Sequence, residues 1–420
     1  MSLDFVKIRE KSKNNVITMF PDFVVSGNIK DLMIRGKSFY AVWDEQLGLW
    51  DTREETVQKL IDSQMFQLRD NQTKMIDISL MTDFSSNVWL QWQKYVKSMP
   101  DNYHELDTKI TFLNTDVKKN DYVSKRLPYA IEKCQTPAYD KIMSTLYKDE
   151  EREKLEWAIG AIISGDSKKL QKFIVLYGGP GTGKSTVLNI IQQLFEGYYT
   201  MFDAKELASN NTGFALEQFK SNPLVAIQHD GDLSHIEDNT KLNSIVSHER
   251  MVVNEKFKSQ YNMRFNSFLF MGTNKPVHIS DAKSGLTRRL IDVRPSNQLL
   301  SPDKYVSLIG QIPFELGGIA DHCLEVYKKL GYHYYDNYVP EQMMMATNDF
   351  YDFVEEEYDI FKRNNATTLD AAWNLYGFYN EAAGVNYPYP KRKFREELKN
   401  YFDEYHERKY VNGENIRHYY

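Results

Sequence analysis

The chain has 420 residues, 42% of them hydrophobic and 26% charged, enough for two or three folded domains with cores of their own. No apolar run approaches the ~18 residues of a membrane span. The N-terminal stretch MSLDFVKIREKSKNN is charged and has no apolar segment, so secretion is not expected and a cytoplasmic protein is. Two cysteines, Cys134 and Cys323, are too few for a disulfide framework or a zinc ribbon. The net charge of −6 leaves a nucleic-acid partner open, because a mean charge says nothing about a local basic channel.

Residues 1–110 mix strand-like runs, such as Phe39–Trp43, with polar helical stretches such as 54–63, and carry no chemical motif. They are expected to form an α+β region. Residues 111–168 turn helical: Ile142, Leu146, Leu155, Ile159 and Ile162 recur at helical spacing until Gly165 and Asp166 end the pattern. A different alternation then begins. Phe173–Tyr177 is a short continuous apolar run, as expected of a strand buried on both faces, and a helix is expected from Ser185 to Phe195. Leu224–Ile227, Phe268–Met271 and Leu290–Val293 read as further buried strands. Strands separated by helical segments imply a layered α/β core with a mainly parallel sheet, spanning 169–335. The tail, 345–420, reads as helical and aromatic. Pro388 and Pro390 break it before the basic run Lys391–Arg395, which suits a winged-helix DNA-binding domain or a solvated helix equally.

The loop after the first of these strands is Gly178-Gly179-Pro180-Gly181-Thr182-Gly183-Lys184-Ser185-Thr186. Its spacing lets backbone N–H groups and a helix N-terminus surround phosphates, with Lys184 neutralising the β and γ oxygens and Ser185 holding Mg²⁺. The ligands expected are therefore ATP and Mg²⁺. The second strand, taken to lie beside the first, ends in Asp230-Gly231-Asp232. Asp230 is assigned to the metal and Asp232 to polarising the attacking water, against the alternative of a polar, helix-capping turn. Asn274, closing the third strand, suits a sensor of the γ-phosphate. Arg288-Arg289 supply a candidate arginine finger, with no choice possible between them. Between the second and third strands, 251–261 reads as a β-hairpin on which Lys256 and Lys258, interleaved with Phe257 and Tyr261, suit contact with a nucleic-acid backbone; a solvated hairpin is an equal alternative.

In this order the motifs resemble superfamily-3 helicases, and most closely the helicase portion of phage and plasmid primase-helicases and their poxvirus relatives. The carriers are GGPGTGKST (178–186), LVAIQHDGDL (224–233), the lysine-bearing hairpin, FLFMGTNKP (268–276) and SGLTRRLIDVRP (284–295). Spacing is compact: 46 residues separate Lys184 from Asp230, and 44 separate Asp230 from Asn274. The resemblance implies a P-loop AAA+ (ASCE) core, a homo-hexameric ring hydrolysing ATP between subunits, and hairpin lysines gripping single-stranded or forked DNA during replication. A separate primase or other replication proteins would be partners, since nothing here resembles a primase domain. The family often carries adjacent carboxylates or an acid–x–acid pattern at this tip; here Gly231 separates Asp230 from Asp232, and the division of labour between them stays open. Two rivals stand beside the helicase reading: a P-loop small-molecule kinase, and a nucleotide-switched DNA-binding or loading factor.

Overall fold

A computed structural model describes residues 3–13, 16–25, 28–70, 76–83, 87–207, 216–219, 221–233, 239–253, 261–277, 285–345, 349–363, 367–383, 385, 388–399, 402, 404–411 and 414–420. The chain forms two compact units, Met1–Ala130 and Ile131–Tyr420. Residues 111–130 thus fall in the first unit, and the helical stretch that follows belongs to the second.

In the first unit the elements are β1 (Val6–Lys13), β2 (Val16–Phe23), β3 (Leu32–Arg35), β4 (Ser38–Asp44), β5 (Leu49–Asp51), α1 (Glu54–Asp70), β6 (Ile76–Ile78) and α2 (Val88–Ser98). They build two three-stranded sheets, ordered β1-β2-β6 and β3-β4-β5. Helix α1 starts with Glu54 and Glu55 and ends near Arg69, charges that complement its dipole. Its residues Val57, Ile61 and Met65, four apart, point into a core shared with Trp92 of α2.

The second unit contains α3 (Pro137–Leu146), α4 (Asp149–Ser164), β7 (Phe173–Tyr177), α5 (Lys184–Leu194), β8 (Tyr199–Met201), α6 (Ala204–Leu207), β9 (Val225–Gln228), α7 (Thr240–Val246), β10 (Arg250–Val253), β11 (Tyr261–Arg264), β12 (Phe268–Thr273), β13 (Leu290–Val293) and α8 (Pro302–Leu330). Five strands form one sheet in the order β13-β7-β12-β9-β8, parallel throughout. The four apolar runs read from the sequence are four of these strands. The edge strand β8, half exposed, has no comparable run. One expectation is corrected: β9, which leads to Asp230, does not lie beside β7, because β12 stands between them. Parallel neighbours need not follow chain order, so strand sequence alone does not set adjacency.

The helical stretch 139–163 is two helices, divided at Tyr147 and Lys148, and both pack on α8. Helices α4 and α8 approach closely at Gly160, where a Cβ would lie 2.1 Å from the carbonyl oxygen of Cys323. Buried Lys154 fastens α4 to the sheet, its Nζ donating to the Asp292 carbonyl at 2.9 Å and to Glu151 Oε1 at 3.0 Å. Buried Glu315 of α8 receives the first backbone N–H groups of α3, from Ala138 at 3.0 Å and Tyr139 at 2.9 Å. A carboxylate there satisfies donors that a helix N-terminus leaves unpaired.

The tail comprises α9 (Glu341–Met345), α10 (Asp349–Arg363), α11 (Leu369–Ala383), α12 (Lys391–Leu398), β14 (His406–Val411) and β15 (Glu414–Tyr419). A helical tail was expected, with a winged-helix domain as one reading; its end is an antiparallel hairpin. Thr368 bridges Tyr419, with paired backbone bonds between Thr367 and Tyr420 at 2.9 and 3.1 Å. Phe350, Phe353, Tyr376, Phe394 and Leu398 make a core of their own beneath it. The sequence signal for the hairpin is Asn412-Gly413 between two alternating segments, the commonest two-residue hairpin turn pair.

Candidate functional site

The site lies at the carboxyl ends of the parallel strands, where open α/β sheets bind ligands. The glycine loop leaves the end of β7 and feeds directly into α5. Gly183, immediately before the helix, has φ +91°, a conformation that disfavours any side chain, and a Cβ there would also meet Leu146 Cδ1 at 2.7 Å. Among the described residues no side chain caps α5, so its first-turn N–H groups face the loop. Beside the loop is a cavity of about 410 Å³ whose other wall is Leu146, Leu299, Leu300, Pro302 and Tyr305.

Three of the residues expected from the sequence converge. Lys184 Nζ donates to the carbonyls of Gly178 and Gly179, each at 2.7 Å, and to Asn274 Oδ1 at 2.8 Å. Asn274 Nδ2 in turn donates to Asp230 Oδ1 at 3.4 Å, a long contact. Burial pushes the Lys184 ammonium below its ordinary pKa, and the negative charge of Asp230 opposes that shift. The run Lys184–Asn274–Asp230 joins the ends of β7, β12 and β9. Ser185 is exposed on the first turn of α5, and Thr186 is buried with its hydroxyl 3.3 Å from that of Tyr305. Thr182 Oγ1 closes the loop on itself by donating to Gly179 O at 2.8 Å.

The other expected residues stand apart. Asp232 pairs with Lys275 at 2.8 Å on the surface, whereas Asp230 is the carboxylate turned to Asn274 and Lys184. The arginines divide. Arg289 is 5% exposed, donating from Nε and Nη2 to Ser247 Oγ at 2.9 and 2.6 Å and from Nη1 to Gly285 O at 2.6 Å. Burial, reinforced by neighbouring Arg288, lowers its pKa. Arg288 is exposed, and its carbonyl accepts from Lys172 Nζ at 2.7 Å. Lys256 and Lys258 lie outside the described residues; the strands on either side of them, β10 and β11, pair antiparallel with Val253 opposite Tyr261.

The sequence reading passed over Arg294, Tyr305 and the apolar wall. Arg294 follows β13 as Asn274 follows β12, so its place at the end of a parallel strand was the available signal. Tyr305 and Leu299 had none, since their proximity to the loop depends on how α8 folds back.

Residues 176–289 match DUF5906, a family of unknown function. No curated protein sequence is similar to the chain. Among solved structures, the apo structure of the NrS-1 C terminal region resembles it with a TM-score of 0.48 and 11% identity, covering 92% of this chain and 95% of that one. The A form of the same region gives a TM-score of 0.45 with 12% identity over 79% and 89% of the two chains.

The residues present fit a nucleoside triphosphate with Mg²⁺. A cavity of about 410 Å³ is the size of a small-ligand site, with a polar loop on one side and an apolar wall suited to a base on the other. Among the described residues no group of three or more His, Cys, Asp or Glu could hold a metal by itself. Mg²⁺ bound to phosphates needs no such group, because one or two protein oxygens plus phosphate and water complete its shell. Ser185 and Asp230 are the oxygens on hand. Among the described residues no helix is long and apolar enough to cross a membrane.

Proposed function

We propose that this chain is an ATP- and Mg²⁺-dependent DNA helicase motor of the superfamily-3, AAA+ type, acting as a homo-hexamer in phage or mobile-element replication. The observation that carries the reading is the joining of Lys184, Asn274 and Asp230 from three adjacent strand ends at the mouth of the glycine loop. A lysine, a neutral amide and a carboxylate in that order supply charge neutralisation, a donor to oxygen and a metal ligand, the elements of phosphoryl transfer.

ATP bound in the loop supplies the phosphoanhydride whose cleavage drives movement. The chain's own part is electrostatic and positional. Lys184 and the α5 N-terminus attract phosphate oxygens, Ser185 and Asp230 orient the metal, and Asn274 fixes Lys184 relative to Asp230. Exposed Arg288, on the turn before β13, is the arginine free to reach a neighbouring subunit. Lys256 and Lys258 contact the DNA strand, and the tail's helix–helix–hairpin arrangement, with Arg392, Lys393 and Arg408 exposed, suits a second DNA contact.

Particle mass with and without ATP and single-stranded DNA, measured together with ATPase activity, tests the reading. A hexamer whose hydrolysis is stimulated by single-stranded DNA is expected. ATP turnover by a monomer indifferent to DNA would point to the kinase alternative, and DNA-bound assembly without unwinding of a forked duplex to the loading factor.

A further inference from the structure

We infer that Arg294 is a further contact from within the same chain to the terminal phosphate, one by which the site tells a nucleoside triphosphate from a diphosphate. The inference rests on the reading of the glycine loop as a nucleotide site.

Val293, the last residue of β13, is in register with Leu176 of β7, which places Arg294 alongside Tyr177, where the loop begins. The guanidinium lies over the Tyr177 ring, 5.0 Å from its centroid. The next residue, Pro295, is so close to Gly178 that a Cβ on that glycine would be 3.0 Å from Pro295 Cδ. Arg294 is thus part of the loop's surround, although 110 residues separate it from Lys184.

What surrounds the guanidinium points to an anion. Arg294 Nε donates to Asp292 Oδ2 at a long 3.3 Å, and its backbone N–H to Glu151 Oε2 at 2.8 Å. The Arg294 side chain is 31% exposed, and it lines a second cavity of about 380 Å³ together with Tyr177, Gly178, Gly179, Asn274 and Asn297. Arginine's planar, permanently charged fork suits phosphate oxygens entering that space. This space meets the first residues of the loop and the amide of Asn274, which holds Lys184. It is distinct from the cavity with the apolar wall on the far side of the loop, which suits the nucleoside. Asp292 does not compete for the role of the ligand: it already receives the Tyr338 hydroxyl at 2.5 Å and serves to orient the guanidinium.

Calorimetric titration of the full chain with ADP and with a non-hydrolysable ATP analogue, both with Mg²⁺, tests this for Arg294→Ala, Arg294→Gln and Arg294→Lys. Gln retains a donor towards Asp292 without the charge, which guards against loss of fold. The expected result is at least a tenfold weaker affinity for the triphosphate analogue in the Ala and Gln variants, with ADP affinity within about twofold of wild type and partial recovery in Lys. Equal losses for both nucleotides, or no loss for either, would overturn the inference and leave Arg294 as an ion-pair partner of Asp292. If the unaltered chain binds neither nucleotide, or Lys184→Ala binds both as well as wild type, the nucleotide site itself falls, a failure that the Arg294 variants alone cannot produce.

Discussion

Adjacent Arg288 and Arg289 should respond to the same substitution in opposite ways. Replacing Arg289 with Ala removes a guanidinium that is 5% exposed and leaves Ser247 Oγ and Gly285 O without their donors. Two charge-assisted acceptors at roughly 1.5 kcal/mol each give a loss of about 3 kcal/mol. For a unit of this size that lowers the melting temperature by about 6–12 °C. Exposed Arg288 has no such side-chain bonds among the described residues, so Arg288→Ala should change stability by no more than about 0.5 kcal/mol. If its guanidinium stabilises charge on a phosphate held by the next subunit, turnover falls by about 10³-fold or more while nucleotide affinity is kept. Differential scanning fluorimetry and steady-state ATPase assays on both variants measure the two effects, and mixing Arg288→Ala with Asp230→Ala subunits should restore some hydrolysis. A thermally intact Arg289→Ala that has lost turnover, beside an active Arg288→Ala, would refute the reasoning.

Further outcomes follow from other parts of the structure. Burial holds the Lys172 pKa down to about 8 from an ordinary 10.5, so between those values the unfolded chain binds more protons than the folded one. Stability should therefore rise with pH across that window relative to Lys172→Met, in denaturant titrations at pH 8 to 10.5. Glu315→Ala leaves the N–H groups of Ala138 and Tyr139 unpaired in a buried setting, and a loss of about 2–4 kcal/mol is expected by chemical denaturation. Lys256→Ala combined with Lys258→Ala should abolish unwinding of a forked duplex while basal ATPase activity persists; full unwinding would remove the hairpin from the mechanism.

Much of the glycine-loop side of the sheet was legible because its signals are local. A five-residue apolar run, a glycine loop and a lysine opening a helix are contiguous, and the strands ending at Asp230 and Asn274 are each recognisable alone. What depended on distant packing was not legible. That β12 separates β7 from β9, that Arg289 turns inward to Ser247, and that Asp232 is held by Lys275 are each settled by partners more than 40 residues away. Arg294 received no role for a different reason: it ends the SGLTRRLIDVRP run, and only the register of β13 on β7 shows where it stands. The terminal hairpin was not placed from the sequence because the density of tyrosine and charge hid the alternation on either side of Asn412-Gly413.

Helix α8 has a mechanical consequence for the cavity beside the glycine loop. Its first turn provides Pro302 and Tyr305 on one side of the opening, and thirteen residues beyond Pro302 its Glu315 grips the start of α3, whose far end presents Leu146 on the other side. Between those two points lies Pro313, which has no N–H to give to the carbonyl four residues back. Helix α8 is therefore one arm of a calliper and holds the other, α3, with Pro313, where the hydrogen-bond ladder is interrupted, between the two points. A few degrees of bending at Pro313 would widen or narrow the gap between Tyr305 and Leu146 without moving a strand of the sheet.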